Sequence, residues 1–331
     1  MRGLVLGKFL PPHRGHVYLV EFAQRYADRL TVVVGSLKSE PIPGELRCRW
    51  LRELFPNVEV LHLADENPQD PSEDPRFWDI WRASLERVLP AKPDLVFASE
   101  PYGLRLAQTL GARFVPVDPA RAAVPVSARA IRADPFARWA FLPRCVRPHY
   151  AKRVCVFGPE STGKTTLARA LAARLSTVWV PEYARAYLEA QGGELAAGDI
   201  PHIARGQRAA EDALARDANR VLVCDTDLLS TVIWSDTLFG SCPDWIRDEA
   251  RLRRYDLTFL LDVDVPWVRD PVRYLPEQRR SFFERCRREL ELHGRRYVVL
   301  SGPPKERLAE AARQARALLR KPPRVRRTLP P

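Results

Sequence analysis

The sequence predicts an α/β protein of two doubly wound parallel-sheet domains. Three observations carry this. Short apolar runs alternate with helical patterns, as in parallel sheets whose strands are covered on both faces. The alternation breaks near residue 150 and begins again. In each half, a glycine-bearing loop follows the first apolar run directly.

In the first half the candidate strands are residues 4–7, 30–35, 58–63, 94–98 and 113–117. Helical patterns lie between them at 15–28, 45–55, 77–89 and 101–110. The second half starts at 153–157, with later strands at 177–180, 220–225, 257–262 and 296–300. Its helices are expected at 164–175, 182–191, 201–218 and 277–292. The joint is Leu142 to Tyr150, where Pro143 and Pro148 interrupt helix and no strand period exists. This gives domains over residues 1–148 and 149–320, with a proline- and arginine-rich tail at 321–331 that predicts disorder.

A length of 331 residues suits two domains, and 46% hydrophobic residues suffice for two cores. Lys and Arg number 53 against 41 acids, a net charge of +12. That balance attracts polyanions without choosing between nucleotides, nucleic acids and acidic membranes. Part of it falls on solvated helix faces such as 285–288. The six cysteines form no C-x-x-C pair and no disulfide framework, which predicts a reduced, cytoplasmic protein. The N-terminal apolar run meets Lys8 and His13 too early for a signal peptide. No apolar stretch nears the roughly 20 residues of a membrane span. Stable membrane association is therefore not expected. Oligomeric state stays open, a homo-oligomer included.

The first loop reads Gly7-Lys8-Phe9-Leu10-Pro11-Pro12-His13-Arg14-Gly15-His16. It sits where a strand ends and a helix begins, the ligand crevice of open parallel sheets. Helix-start N–H groups and dipole suit a phosphate there. His13 and His16 are three apart on one face and can donate to phosphate oxygens as charge develops. Gly15 lets a base or ribose approach the backbone. A metal pair or two surface histidines are the plainer readings of H-x-x-H, and its place after the first strand weighs against them.

These residues resemble the nucleotidyltransferase superfamily with the H-x-G-H signature. That family's second motif, I-S-x-T-x-I-R, has its counterpart in Val126-Ser127-Ala128-Arg129-Ala130-Ile131-Arg132. The resemblance implies that ATP is held by Gly7, Lys8, Phe9, His13, Gly15, His16, Ser127 and Arg132. Ser127 would cap a helix, and Arg132 would meet phosphates with a planar cation. Arg129 stands in place of the usual Thr, which removes a hydroxyl contact and adds a cation. Catalysis would be in-line attack on the α-phosphate with no covalent intermediate, Mg²⁺ and cations stabilising the leaving pyrophosphate.

The second loop, Gly158-Pro159-Glu160-Ser161-Thr162-Gly163-Lys164-Thr165, is a full P-loop between a strand and a helix. Its backbone N–H groups, with Glu160, Ser161, Thr162, Gly163 and Thr166, would cradle ATP. Lys164 would reach the β- and γ-phosphates, and Thr165 would hold Mg²⁺. Asp225, at a strand end, is a second Mg²⁺ ligand or a base. Asp227 is a candidate for a ribose diol. Glu182, Tyr183 and Arg185 follow the second strand, where acceptor-binding groups are expected. For each single acid the plainer reading is a helix cap or a solvated loop. Arg273 belongs either to a lid over the phosphates or to an ordinary surface loop.

The order of the two motifs, a Rossmann-like nucleotidyltransferase followed by a P-loop kinase, resembles the bifunctional NadR-type proteins. In these, nicotinamide-nucleotide adenylyltransferase is fused to ribosylnicotinamide kinase. Further carriers are Pro41 to Arg47 with Arg49 and Trp50, Trp78-Asp79-Ile80-Trp81, and Ser99 to Gly103. Val117-Asp118-Pro119 with Arg121, Asp134-Pro135-Phe136 with Trp139, Glu182-Tyr183 with Arg185, and Asp225-Thr226-Asp227 complete them. The family implies that the second domain phosphorylates ribosylnicotinamide to nicotinamide mononucleotide (NMN), and that the first adenylylates NMN to NAD. NMN would lie against Trp78, Trp81, Ser99 and Glu100. The tryptophans either stack on the cationic ring or form two core residues on one helix face. Some family members begin with a helix-turn-helix domain. This sequence begins at the first strand, so no nucleic-acid partner is expected.

Two alternatives stay open. A coenzyme A synthase arrangement also joins an H-x-G-H transferase to a P-loop kinase, although it does not account for Ser99 to Gly103. A nucleotide-sensing regulator without turnover is the other, against which the intact His13, His16, Lys164 and Thr165 argue.

Overall fold

Two parallel sheets of five strands each organise the chain in the computed structural model, which describes residues 1–192, 194–267 and 277–320. Two compact units result, one from Met1–His149 and the other from Tyr150 onward.

In the first unit the elements run β1 (Arg2–Gly7), α1 (Arg14–Tyr26), β2 (Arg29–Gly35), α2 (Gly44–Leu54) and β3 (Glu59–Leu63). They continue with α3 (Phe77–Val88), β4 (Leu95–Ala98), α4 (Tyr102–Leu110), β5 (Arg113–Pro116), α5 (Ala128–Ala133) and α6 (Arg147–Tyr150). The strand order is β3-β2-β1-β4-β5, all parallel. Side chains alternate across the sheet. Val5, Val32, Val34 and Phe97 pack on one face, with Leu19, Val20 and Ala23 of α1. Leu4, Val33 and Val96 pack on the other, with Leu85 of α3 and Leu106 of α4. Burial on both faces is why these strands read as unbroken apolar runs. The order reverses at β1, which opens a crevice at the strands' C-terminal ends.

The second unit runs β6 (Lys152–Phe157), α7 (Lys164–Arg174), β7 (Trp179–Val180), α8 (Tyr183–Ala190), α9 (Ile200–Leu214) and β8 (Val221–Asp225). Then come α10 (Leu228–Phe239), α11 (Asp244–Leu252), β9 (Leu257–Leu261), α12 (Arg279–Leu292), β10 (Tyr297–Leu300) and α13 (Pro304–Leu319). The order is β10-β9-β6-β8-β7, again parallel throughout. Cys155, Phe157 and Leu260 face α9, α10 and α12, while Val154, Val156 and Phe259 face α7 and α13.

The differences from the sequence reading have local causes. Strand β7 is two residues long, and the Thr177 backbone N–H goes to Ala172 O at 3.0 Å, closing the end of α7 rather than extending the sheet. Helix α9 stops at Leu214, short of the expected 218. Helices α10, α11 and α13 were not foreseen. α10 has apolar residues all round rather than on one stripe. α13 buries a face of Ala311, Ala312 and Ala315, a weak signal among arginines. All six cysteines are buried and unbridged. Among the described residues, no helix is long and apolar enough to cross a membrane.

Candidate functional sites

A cavity of about 790 Å³ lies over the C-terminal ends of β1 and β4. Its floor is the Gly7–His16 loop. His13 is the N-cap of α1, and its Nδ1 accepts the backbone N–H groups of Gly15 at 3.1 Å and His16 at 3.3 Å. Nδ1 is thereby unprotonated, and neutral His13 carries its proton on Nε2. The His16 ring stacks on it, and Phe9 lies 4.8 Å from His16, ring to ring. Burial, then the Arg121 cation, pushes the His13 pKa down to about 4. Burial, His13 and Arg121 hold His16 well below its usual value. Both imidazoles are neutral hydrogen-bond donors at physiological pH.

Gly15 lines the cavity, and it also bears on the His13 ring. A Cβ there would lie 3.0 Å from His13 Cε1, so the missing side chain seats the imidazole. Behind the loop, the fully buried Arg47 donates to Lys8 O at 2.6 Å and pairs with Glu40 at 2.6 Å. Glu40 also pairs with Lys8 at 2.9 Å. Removing one partner of such a pair costs about 3–5 kcal/mol, so this network fixes the loop.

Ser127 caps α5, its Oγ accepting from Ala130 N at 3.2 Å. Arg132 donates to Leu10 O, tying α5 to the loop, and both residues line the cavity. The structure places Trp78 and Trp81 between core and cavity. They pack on the sheet face and also line the cavity. The Trp81 Nε1–H donates to Pro68 O at 2.9 Å. Ser99 and Glu100 line the far side. Sequence reasoning gave no role to Arg121, which pairs with Glu100 at 3.1 Å and lines the cavity. Its loop is held by Asp118, whose carboxylate accepts from Ala122, Ala123 and Val124 N–H groups. The D-x-x-R spacing was the available signal.

In the second unit the loop after β6 surrounds a cavity of about 170 Å³. Gly158 (φ +133°) and Gly163 (φ +86°) take conformations that favour glycine, and a Cβ on Gly158 would lie 3.0 Å from Leu261 O. The Lys164 ammonium donates to Pro159 O at 2.9 Å, and the Thr162 hydroxyl to the same oxygen at 2.8 Å. Two arginines that the sequence did not reveal hold the loop from outside. Buried Arg307 donates to Thr162 O at 3.0 Å, and Arg279 donates to Ser161 O at 3.3 Å. Glu160, Ser161, Thr162, Gly163, Lys164, Thr165 and Thr166 line the cavity, as do Glu182 and Arg185. Its opposite wall includes Leu188, Ile203 and Trp234, the last packed against Phe282 at 4.4 Å. Trp234 was missed because α10 was missed.

Asp225 is fully buried at the end of β8, behind the cavity wall. Burial, then the Glu182 carboxylate, pushes its pKa up to about 7, against the pull of Lys164, Thr165 and Arg185. Neither of its oxygens has a well-formed hydrogen bond among the described residues. Asp227 does not reach the cavity. It caps α10 through Ser230 N at 3.1 Å and pairs with Arg295, so both of its oxygens already serve the fold. The Tyr183 ring is turned onto Gly206 of α9, away from the cavity lining. Arg273 lies outside the described residues.

Fold and sites define an α/β nucleotide-binding protein whose second unit is a P-loop domain. The family described as "AAA domain" matches residues 153–307. The chain is 31% identical over 294 residues to the "Trifunctional NAD biosynthesis/regulator protein NadR" of Escherichia coli (strain K12), covering 82% of this chain and 72% of that protein. The same-named protein of Salmonella typhimurium (strain LT2) is 30% identical with the same coverage. A crystal structure of a NadR protein in complex with NAD and AMP-PNP is 26% identical, with a TM-score of 0.76 over 99% of this chain and 98% of that one. Another, in complex with NR, is 24% identical with a TM-score of 0.77 and the same coverage, and it shares the fold. The chain belongs to the NadR family.

Proposed function

We propose that this chain makes NAD in two ATP-dependent steps. The second unit phosphorylates the 5′-hydroxyl of ribosylnicotinamide to NMN. The first transfers AMP from ATP to NMN, releasing pyrophosphate. One observation carries the reading. The first cavity gathers two neutral imidazoles, the cations Lys8, Arg121 and Arg132, and the aromatic pair Trp78 and Trp81 around one space. The names of the curated relatives and the ligands of the 26%-identical NadR structure support it.

In the first cavity an oxygen of the NMN phosphate attacks the α-phosphorus of ATP, and the bond to pyrophosphate breaks. The Nε2–H of His13 donates to oxygens that gain charge, and His16 exchanges its bond to Pro11 O for one to the same oxygens, without proton transfer. Lys8, Arg121 and Arg132 hold the polyphosphate, and the tryptophans take the pyridinium ring. In the second cavity the N–H groups of residues 158–165 cradle ATP, and Lys164 exchanges Pro159 O for the β- and γ-phosphates. Glu182, which lines the cavity, faces the acceptor hydroxyl, and Asp225 lies deeper.

Magnesium fits the second site. The underused, buried Asp225 carboxylate and the Thr165 hydroxyl are hard oxygen donors. When bound, the ion neutralises charge on the transferring phosphate.

The test is chromatography of products from purified protein with ribosylnicotinamide, ATP and Mg²⁺. NAD is the expected product. Accumulated NMN without NAD would condemn the transferase assignment. Unreacted ribosylnicotinamide would condemn the kinase assignment.

A further inference from the structure

The side chain of Gln207, on α9, is 2% exposed, and its two amide atoms differ in their partners. Oε1 accepts the backbone N–H of Tyr183 at 2.9 Å. A backbone N–H can only donate, so this bond assigns oxygen to that side and Nε2 to the other. Nε2 has no hydrogen-bond partner among the described residues, and Gln207 lines the second cavity. The arrangement is rigid. The Tyr183 ring fills the space over Gly206, where a Cβ would overlap it. Part of the neighbouring wall is apolar, with Ile200, Ile203 and Leu188 beside Trp234. The same cavity is also lined by Glu182, Arg185, Ser230 and Thr231, so the wall is mixed, and a fixed, unpaired donor in it favours a flat ligand with one acceptor in the right place.

We propose that Gln207 is a specificity-determining residue, its Nε2 donating to the exocyclic carbonyl oxygen on the base of the acceptor nucleoside. This rests on the kinase reading given above. A base without that oxygen leaves the buried donor unpaired, a penalty that falls on recognition rather than on the phosphate chemistry.

The experiment compares full-length wild type, Gln207→Glu and Gln207→Leu on two acceptors, ribosylnicotinamide and a pyridine riboside lacking the carboxamide. Glutamate still accepts from Tyr183 N–H and removes only the donor. Both ribosides carry the same ring charge, so any attraction of the new carboxylate cancels in their ratio. Wild type is expected to prefer the carboxamide by about tenfold or more in kcat/KM. Both variants should lose that preference, the ratio of kcat/KM between the two ribosides falling toward one. An equal fall on both acceptors would assign Gln207 to the ribose or to packing and overturn the proposal. A wild type that uses both acceptors equally would overturn it too. A wild type that phosphorylates neither would instead sink the kinase reading on which the proposal stands.

Discussion

The imidazoles of His13 and His16 stack face to face, with 3.7 Å between centroids and 21° between planes. Two protonated rings could not stay there, and the burial that brings them together also keeps them neutral. The first turn of α1 thus presents donors without positive charge, beside cations supplied from other elements.

Burial of His13, with the Arg121 cation second, makes the first unit sensitive to acid. His13 has a pKa of about 4 when folded, against 6.5 for an ordinary histidine. Below pH 6.5 the unfolded chain takes up a proton that the folded one refuses. Stability therefore falls as pH drops from 6.5 and stops falling, for this group, below about 4. The loss is about 3 kcal/mol. His13→Asn keeps an oxygen at the N-cap and abolishes the titration. Its unfolding transition should fall less steeply between pH 6.5 and 4. Identical slopes in variant and wild type would show that the ring titrates normally.

The two activities should separate by mutation. His16→Ala is expected to lower NAD formation from NMN by at least about 100-fold and leave ribosylnicotinamide phosphorylation intact. Lys164→Ala should do the reverse. Assays of each step alone decide this, and loss of both steps in either variant would contradict independent sites.

Asp225 should give the kinase step a pH-dependent need for metal. Its carboxyl is half protonated near pH 7, through burial first and Glu182 second. A protonated acid is a poor Mg²⁺ ligand. The Mg²⁺ concentration for half-maximal phosphorylation should rise by about tenfold per pH unit below 7. Asp225→Asn should be slow and without this dependence. A variant that keeps the wild-type dependence would place the titrating group elsewhere. Chelation of Mg²⁺ should stop both steps, and turnover that persists in chelator would exclude a metal role.

Gly15→Ala tests how the imidazole is seated. The new Cβ would press on the His13 ring at 3.0 Å, tighter than ordinary contact. The ring must shift, at about 1–3 kcal/mol. Adenylyl transfer should fall by about tenfold or more while kinase activity is unchanged. Full transferase activity in this variant would mean that His13 need not sit where the structure has it.

Much of the architecture was legible because it is written in local pattern. Runs such as Leu30 to Gly35 and Val221 to Asp225 are strands buried on both faces, and such strands leave unbroken apolar segments. Helix α10 escaped for a related reason. Buried on several sides, Leu228, Val232 and Ile233 share no single stripe with a polar opposite face. With α10 hidden, Trp234 could not be placed at the cavity.

The sequence by itself determined the alternation of strands and helices and put two anion-suited loops at strand ends, because glycines, caps and apolar periods act over a few residues. Tertiary structure decided which side chains serve the cavities. It committed Asp227 to Ser230 N and Arg295, turned Tyr183 onto Gly206, and brought Arg121 to the histidines. It also set the charge states of His13, His16 and Asp225. Those depend on burial and on charges from distant parts of the chain, which no local pattern records.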